Sequence, residues 1–268
     1  MEHPVVPAGH VVYAVGDIHG RADLLALLLD QIKADAAASV GAKKKTLVFV
    51  GDYIDRGPES RCVVDLLLGA LPTGFDTHFL KGNHEEMMFE FLEDPSSLGY
   101  WLGNGGAATL ESYGVDVTGL RRDAAKPEAW RDAFLSALPE QHRRFFESLE
   151  LTASFGDYLF VHAGIRPGVP LKAQNPQDLL WIRGEFLRSE EDFGKVVVHG
   201  HTPKDAPEIR ANRIGIDTGA FFSNRLTALR LQEGSRRFLQ AEAAMPTTPP
   251  DPMQYEFIDD LGGSIEMH

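Results

Sequence analysis

One cysteine, Cys62, in 268 residues leaves no partner for an internal disulfide, so a packed core rather than covalent staples must hold the fold. Long apolar runs are missing as well. No segment approaches the roughly 20 residues that a bilayer-spanning helix needs. The opening MEHPVVPAGHVVYAV carries an early acid and no basic n-region, unlike a secretory signal. A cytoplasmic setting without membrane contact is the expectation. Positive charge is scarce too: 26 lysines and arginines face 39 acids, for a formal charge of −13. Binding to a nucleic-acid backbone draws on a basic stripe. The short basic runs here, Lys43–Lys45, Arg121–Arg122 and Arg143–Arg144, read as solvated surface, so no nucleic-acid partner is expected. An acidic protein that handles anionic groups must concentrate positive charge locally, which bound cations can supply.

What remains is the composition of an ordinary globule, 43% hydrophobic and 24% charged. Apolar runs of β character recur, each ending in a polar or glycine cluster: VVYAVGDIHG, KTLVFVGDYIDRG, THFLKGNHE, YLFVHAG, KVVVHGHTP, RIGIDTG and RLTALRL. Helical stretches separate the early ones. ADLLALLLDQIKAD sets Leu24, Leu27, Leu28 and Ile32 on one side, and ESRCVVDLLLGAL sets Val63, Leu66 and Leu67 likewise, with Cys62 expected in the same core. From about 84 to 150 the pattern is mostly helical and rich in aromatics, Trp101 among them, which core packing explains. Strands then return in quick succession. The predicted architecture is an α/β layered sandwich of mixed sheets, formed by one domain over 1–240, followed by a proline-rich linker and tail over 241–268.

In such folds the loops at the carboxyl ends of the strands carry the site. Those loops hold Asp17 and His19 (GDIHG), Asp52, Asp55 and Arg56 (GDYIDRG), Asn83 and His84 (GNHE), His162 (VHAG), and His199 and His201 (HGH). Carboxylates and imidazoles without a thiolate suit borderline divalent metals such as manganese, iron or zinc. Asp17 and His19 alternate around Ile18, so an extended segment presents both to one side. A lone strand-end histidine is ordinarily a hydrogen-bonded structural residue, and His3, His10, His78, His142 and His268 are read that way. Five such clusters after five apolar runs are read instead as a metal site.

GDIHG, GDYIDRG and GNHE, in this order, resemble the signatures of the metal-dependent phosphoprotein phosphatases of serine/threonine type. LGNGGAATL, LLWIRGEF, HGHTP and IGIDTGAFFSNRLTALRLQ resemble their small phage and bacterial branch, typified by the lambda-phage phosphatase. The likeness runs from about residue 10 to 235 and thins between 115 and 150. It implies an α-β-β-α metallophosphoesterase-like sandwich of two mixed β-sheets flanked by helices. It also implies two divalent ions, manganese foremost with iron or zinc as alternatives. Asp17 and His19 would hold one ion, Asn83, His162 and His201 the other, and Asp52 would bridge them. Arg56 and Arg183 would clamp phosphoryl oxygens, with Asn83 and His84 also contacting substrate. His84 would be the general acid and Asp55 its hydrogen-bonding partner. The implied activity is hydrolysis of a phosphorylated protein, peptide or small phosphoester by direct attack of water activated between the cations.

Several residues keep plainer readings. Arg183 could pair with Glu185 or Asp178, and His199 could pack at its strand end. Glu85 reads as a structural partner near a helix start, while Asp217 and Asn104 read as turn residues. The rival enzyme is a symmetrical dinucleoside tetraphosphatase with the same core, which the HAG at 162–164 favours, whereas Asp55 and GNHE favour the protein phosphatase. A catalytically inactive phospho-partner scaffold would have lost a ligand or the acid, and this sequence shows no such loss.

Overall fold

A computed structural model describes residues 4–39, 41–122 and 126–243. The chain begins with β1 (His10–Val15), α1 (Ala22–Ala38), β2 (Lys44–Phe49), α2 (Ser60–Gly69) and β3 (Asp76–Phe79). A helical block follows: α3 (Asn83–Glu93), α4 (Leu98–Gly103), α5 (Gly106–Ser112), α6 (Val117–Arg122), α7 (Pro127–Ala137) and α8 (Glu140–Glu147). The second half runs β4 (Thr152–Phe155), β5 (Tyr158–Val161), α9 (Pro176–Trp181), α10 (Gly184–Arg188), β6 (Val196–His199), β7 (Glu208–Ile209), β8 (Arg213–Gly215), α11 (Ala220–Ser223), β9 (Arg225–Gln232) and β10 (Ser235–Glu242).

Two mixed sheets result, ordered β10-β9-β1-β2-β3 and β4-β5-β6-β8-β7. In the first, β1, β2 and β3 are parallel while β9 and β10 run antiparallel. In the second, β5, β6 and β8 are parallel and β4 and β7 antiparallel. Alternation along β1 sorts its side chains. Val12 and Ala14 join Val48, Phe160, Val198 and Ile214 in a core between the sheets. Val11, Tyr13 and Val15 face the opposite way, into a core with Leu24, Leu28, Val63, Met87 and Phe91 from the helices. Outside the second sheet, Leu159, Val161 and Val197 meet Leu179 and Phe186 of α9 and α10. This is the expected α-β-β-α sandwich, and the apolar runs form strands because both faces are covered.

Three local expectations change. The buried stripe of α1 is Leu24, Leu25, Leu28, Leu29 and Ile32, and Leu27 stands 47% exposed. The stripe is therefore rotated from the one that includes Leu27. On α2 the buried line is Ser60, Val63, Val64 and Leu67, which turns Cys62 outward to solvent. The polar hairpin strand β10 closes the sheet edge over α1, where Gln31 Nε2 donates to the Gln240 carbonyl. Of the linker and tail expected over 241–268, Ala241 and Glu242 belong to β10, and the proline-rich part from 244 onward lies outside the described residues, as do His3 and His268. Leu28→Ala is expected to cost about 2–5 kcal/mol of unfolding free energy, against less than about 1 kcal/mol for Leu27→Ala, in urea titrations followed by circular dichroism.

Candidate metal centre

The loops after β1, β2, β3, β5 and β6 converge at one end of the sandwich, as the topology of parallel strands requires. Asp17, His19, Asp52, Asp55, Asn83, His84, His162 and His201 are all buried there. Five nearby non-glycine residues take left-handed backbone: His19 (φ 47°), Asp52 (53°), Asp55 (70°), Arg56 (67°) and His201 (63°). Such a conformation costs about 1–2 kcal/mol per residue outside glycine, so its recurrence on these loops marks strain concentrated at a site.

Glu85 holds the strained GDYIDRG loop. From the first turn of α3 its carboxylate accepts the backbone N–H groups of Asp52 (3.0 Å), Tyr53 (2.9 Å), Ile54 (3.3 Å) and Gly82 (2.9 Å). The structural reading of Glu85 thus holds. Gly82 has no room for a side chain, because a Cβ would strike Asp52 Oδ1.

Histidine tautomers follow from their outer partners. His19 Nδ1 lies 2.9 Å from the Ile54 carbonyl and His162 Nδ1 2.9 Å from that of Val50. A carbonyl only accepts, so each ring donates there and turns an Nε2 lone pair inward. His19 Nε2 is 3.5 Å from Asp52 Oδ2, and His162 Nε2 is 3.4 Å from Asp52 Oδ1 and 2.8 Å from Asn83 Oδ1. Burial pushes the His162 ring down to about 4 and His19 well below the ordinary imidazole value, so both are neutral near pH 7. Acceptors facing acceptors in a dry site are an arrangement that a cation satisfies.

Two clusters have ligand atoms within 4.8 Å of one another, His19–Asp52–His84 and Asp52–His162–His201. Asp52 belongs to both. Asp17 Oδ2 accepts from His201 N at 2.9 Å, while its buried Oδ1 has no hydrogen-bond partner. Burial, followed by the charges of Asp217 and Asp52, drives Asp17 well above the carboxylate range, and burial lifts Asp52 to about 7. This donor set fits hard or borderline divalent ions. All six residues expected from the sequence as ligands are brought together.

The remaining expected residues are close by. His84 Nδ1 donates to Asp55 Oδ2 at 2.7 Å, with both side chains fully buried. That carboxylate also accepts from Trp101 Nε1 (2.9 Å), which the sequence pattern left in the core, and from Thr109 Oγ1 (2.6 Å), which it did not single out. Arg56 lies over the Phe221 ring, 4.8 Å from its centroid. Arg183 does not pair with Asp178 or Glu185, because Arg166 takes both. Instead its Nε donates to His201 Nε2 at 2.9 Å. His199 is a strand-end packing residue against Phe186, with its ring also 3.0 Å from the Gly200 carbonyl. Asp217 caps its turn through Gly219 N (2.8 Å), and Asn104 bonds the Tyr100 carbonyl (2.9 Å). His10, His78 and His142 bond Thr46, Glu150 and the Tyr113–Asp65 pair, as expected of structural histidines. Arg21 was not anticipated: its Nη1 ties α11 to the start of α1 through the Ala220 carbonyl and Asn224 Oδ1.

A family model described as calcineurin-like phosphoesterase matches residues 10–220. The chain belongs to that family. A Bacillus velezensis protein named bis(5'-nucleosyl)-tetraphosphatase PrpE [asymmetrical] is 27% identical over 250 residues, covering 87% of this chain and 92% of its own. Among solved structures, the cold-active protein-tyrosine phosphatase of a Shewanella species superposes with a TM-score of 0.54 at 18% identity, covering 88% of this chain and 83% of that one. A Saccharomyces cerevisiae protein serine/threonine phosphatase reaches 0.52 at 18% identity, covering 95% and 88%. These structural likenesses establish the fold. Membership makes this calcineurin-like phosphoesterase a phosphoester hydrolase of a family that uses divalent metals. Among the described residues, no helix is long and apolar enough to cross a membrane.

The raised carboxylates give a signed pH prediction. In the cation-free fold Asp52 and Glu85 each hold a proton up to about 7. Their stabilising contribution is therefore present at low pH and lost as pH rises toward 7. His162 contributes in the opposite direction, its neutral folded form gaining between about 4 and the unfolded value of 6.5. A cation must displace the Asp52 proton, so the rise in melting temperature on adding manganese should be small at pH 5 and grow until about pH 7–8. Calorimetry with and without manganese at each pH checks this, and a pH-independent increment would refute it.

Proposed function

We propose that this calcineurin-like phosphoesterase hydrolyses bis(5'-nucleosyl) tetraphosphates, with two divalent cations, manganese first among them, as cofactors. The observation that carries this reading is the relative named for that reaction, which aligns along 87% of this chain and 92% of its own length. Asp17 and His19 would hold one cation, Asn83, His162 and His201 the second, and Asp52 would serve both. When bound, such a pair supplies Lewis acidity toward phosphoryl oxygens and toward the attacking water. The chain's own groups do the rest. Arg56 and Arg183 grip the equatorial oxygens of the phosphoryl group and orient it in line with the water. His84 delivers a proton to the departing oxygen, and Asp55 fixes the ring that carries it. The relatives are named for asymmetrical cleavage, which supports release of a nucleoside monophosphate and a nucleoside triphosphate over the symmetrical variant considered from the sequence.

A second reading has its own support. An alkoxide leaving group needs a proton in the transition state far more than a nucleotide phosphate does, and the buried 2.7 Å His84–Asp55 contact is built for such delivery. It favours phosphomonoesters of serine and threonine, in proteins or peptides, as further substrates. On the manganese-loaded chain, diadenosine tetraphosphate is expected to give AMP and ATP in equal amounts, faster than a phosphoserine peptide releases phosphate. His84→Asn should then cost about 100-fold or more on the peptide and under about tenfold on the dinucleotide. Turnover of the peptide with an inert dinucleotide would replace the first reading by the second. Two ADP per dinucleotide would overturn the asymmetrical cut.

A further inference from the structure

The segment LGNGGAATL, singled out by its sequence, contributes no ligand to the metal clusters, yet it presses on the GDYIDRG loop at two points and on Trp101 at a third. Gly105, at φ 98°, accepts Arg56 N through its carbonyl at 3.2 Å, and a Cβ there would meet Arg56 backbone and side-chain atoms at 2.8 Å. Gly106 opens α5 directly against the Trp101 indole, which a Cβ would meet at 2.6 Å. Thr109, one turn further, both accepts the Asp55 backbone N–H at 2.9 Å and donates to Asp55 Oδ1 at 2.6 Å. Ser60 Oγ joins the same knot, 3.1 Å from Asp55 N and 3.1 Å from Thr109 Oγ1.

The Asp55 carboxylate is thereby filled on both oxygens. Oδ1 takes Thr109, and Oδ2 takes Trp101 and His84. Rotation about its terminal torsion would break at least one charge-assisted bond in a site without water access, where an unmet acceptor is costly. Both donors are themselves fixed. Trp101 is fully buried, stacked on Phe91 with centroids 5.1 Å apart and packed on Phe134, while Thr109 is fully buried on α5. Trp101 therefore has two separable roles, an apolar face in the core and an N–H aimed at one carboxylate oxygen. Core filling alone explains the first and leaves the second unexplained.

We propose that Trp101 and Thr109 are positioning residues: they clamp the Asp55 carboxylate so that it aims the His84 ring at the leaving-group oxygen. This rests on the reading of His84 as proton donor, and the experiment separates the two. On the full-length manganese-loaded chain, kcat and KM are measured with phenyl phosphate and 4-nitrophenyl phosphate, which differ in how much the leaving group needs a proton. His84→Asn should lower the phenyl-to-nitrophenyl ratio of kcat by about 100-fold. Trp101→Phe, which keeps an aromatic face, and Thr109→Val, which keeps the shape, should each lower that ratio about tenfold by removing one bond to a charged group. Their KM values should stay within about twofold. Thr109→Ser should restore the ratio, and Trp101→Phe added to Asp55→Asn should lower it no further. Equal losses on both esters, or a ratio unchanged in Trp101→Phe and Thr109→Val while His84→Asn alters it, would overturn the proposal and leave the proton-donor reading intact. A ratio unchanged in His84→Asn would overturn that reading and the proposal with it.

Discussion

The rest of the structure is arranged around one expensive interaction, the burial of the Asp52 carboxylate among acceptors. Its two oxygens face His162 and His19 lone pairs, and Asp17 and Asp217 lie close enough that Asp17 feels the charge of both other acids. Removing an ion from water costs several kcal/mol even after relaxation, and like charges add to that cost. Nearby polar groups do not remove it: the His84 backbone N–H is the donor to Asp52 Oδ1, while Asp17 Oδ1 meets none. An arrangement of this kind suits the divalent cations that the family uses.

That cost explains why so much of the surrounding chain is rigid. Strained backbone at His19, Asp52, Asp55, Arg56 and His201 persists only where neighbours over-determine it. Glu85 is the chief restraint, a single carboxylate fastening four backbone N–H groups from two loops. Parallel strands β1, β2 and β3 deliver those loops to one edge, and β5 and β6 deliver the opposing half from the second sheet. The sandwich thus serves as a vice, with the shared Asp52 where its jaws meet. Dense hydrogen bonding around the GDYIDRG turn is what allows Asp52, Asp55 and Arg56 to point three ways from adjacent strained positions.

Legibility in the sequence followed what is local. Apolar runs that stop at Gly-Asp or Gly-Asn were readable as buried strands with functional ends, because burial on both faces leaves an unbroken hydrophobic signature. The α1 stripe was misphased at Leu27 because consecutive leucines make the helical period ambiguous, and only docking on the sheet selects Leu25 and Leu29. The strand β10 was invisible, since SRRFLQAE is a half-exposed edge whose partner, β9, supplies the pattern. Pairings between distant residues were equally hidden. Nothing near Arg183 in sequence says that Arg166 will claim Asp178 and Glu185, and nothing near Trp101 says that its N–H will reach Asp55 across 46 positions. Substrate choice was hidden for a further reason, because one set of metal ligands can serve anhydrides and monoesters alike.

The geometry around His201 shows how binding and positioning compete for one ring. Its Nε2 accepts from Arg183 at 2.9 Å, so the neutral ring carries its proton on Nδ1, 2.9 Å from Asn83 Oδ1. Burial, then the charge of Arg183, holds that ring well below the usual imidazole value, which excludes a second proton near neutrality. A neutral imidazole has a single lone pair. Ligation through Nδ1 would move the proton to Nε2, where a guanidinium N–H can no longer donate, and Arg183 would be left without its partner on this ring. The two arrangements are mutually exclusive on one side chain. Arg183 and a cation on Nδ1 would therefore draw on the same ring, and His201 can serve only one of them at a time.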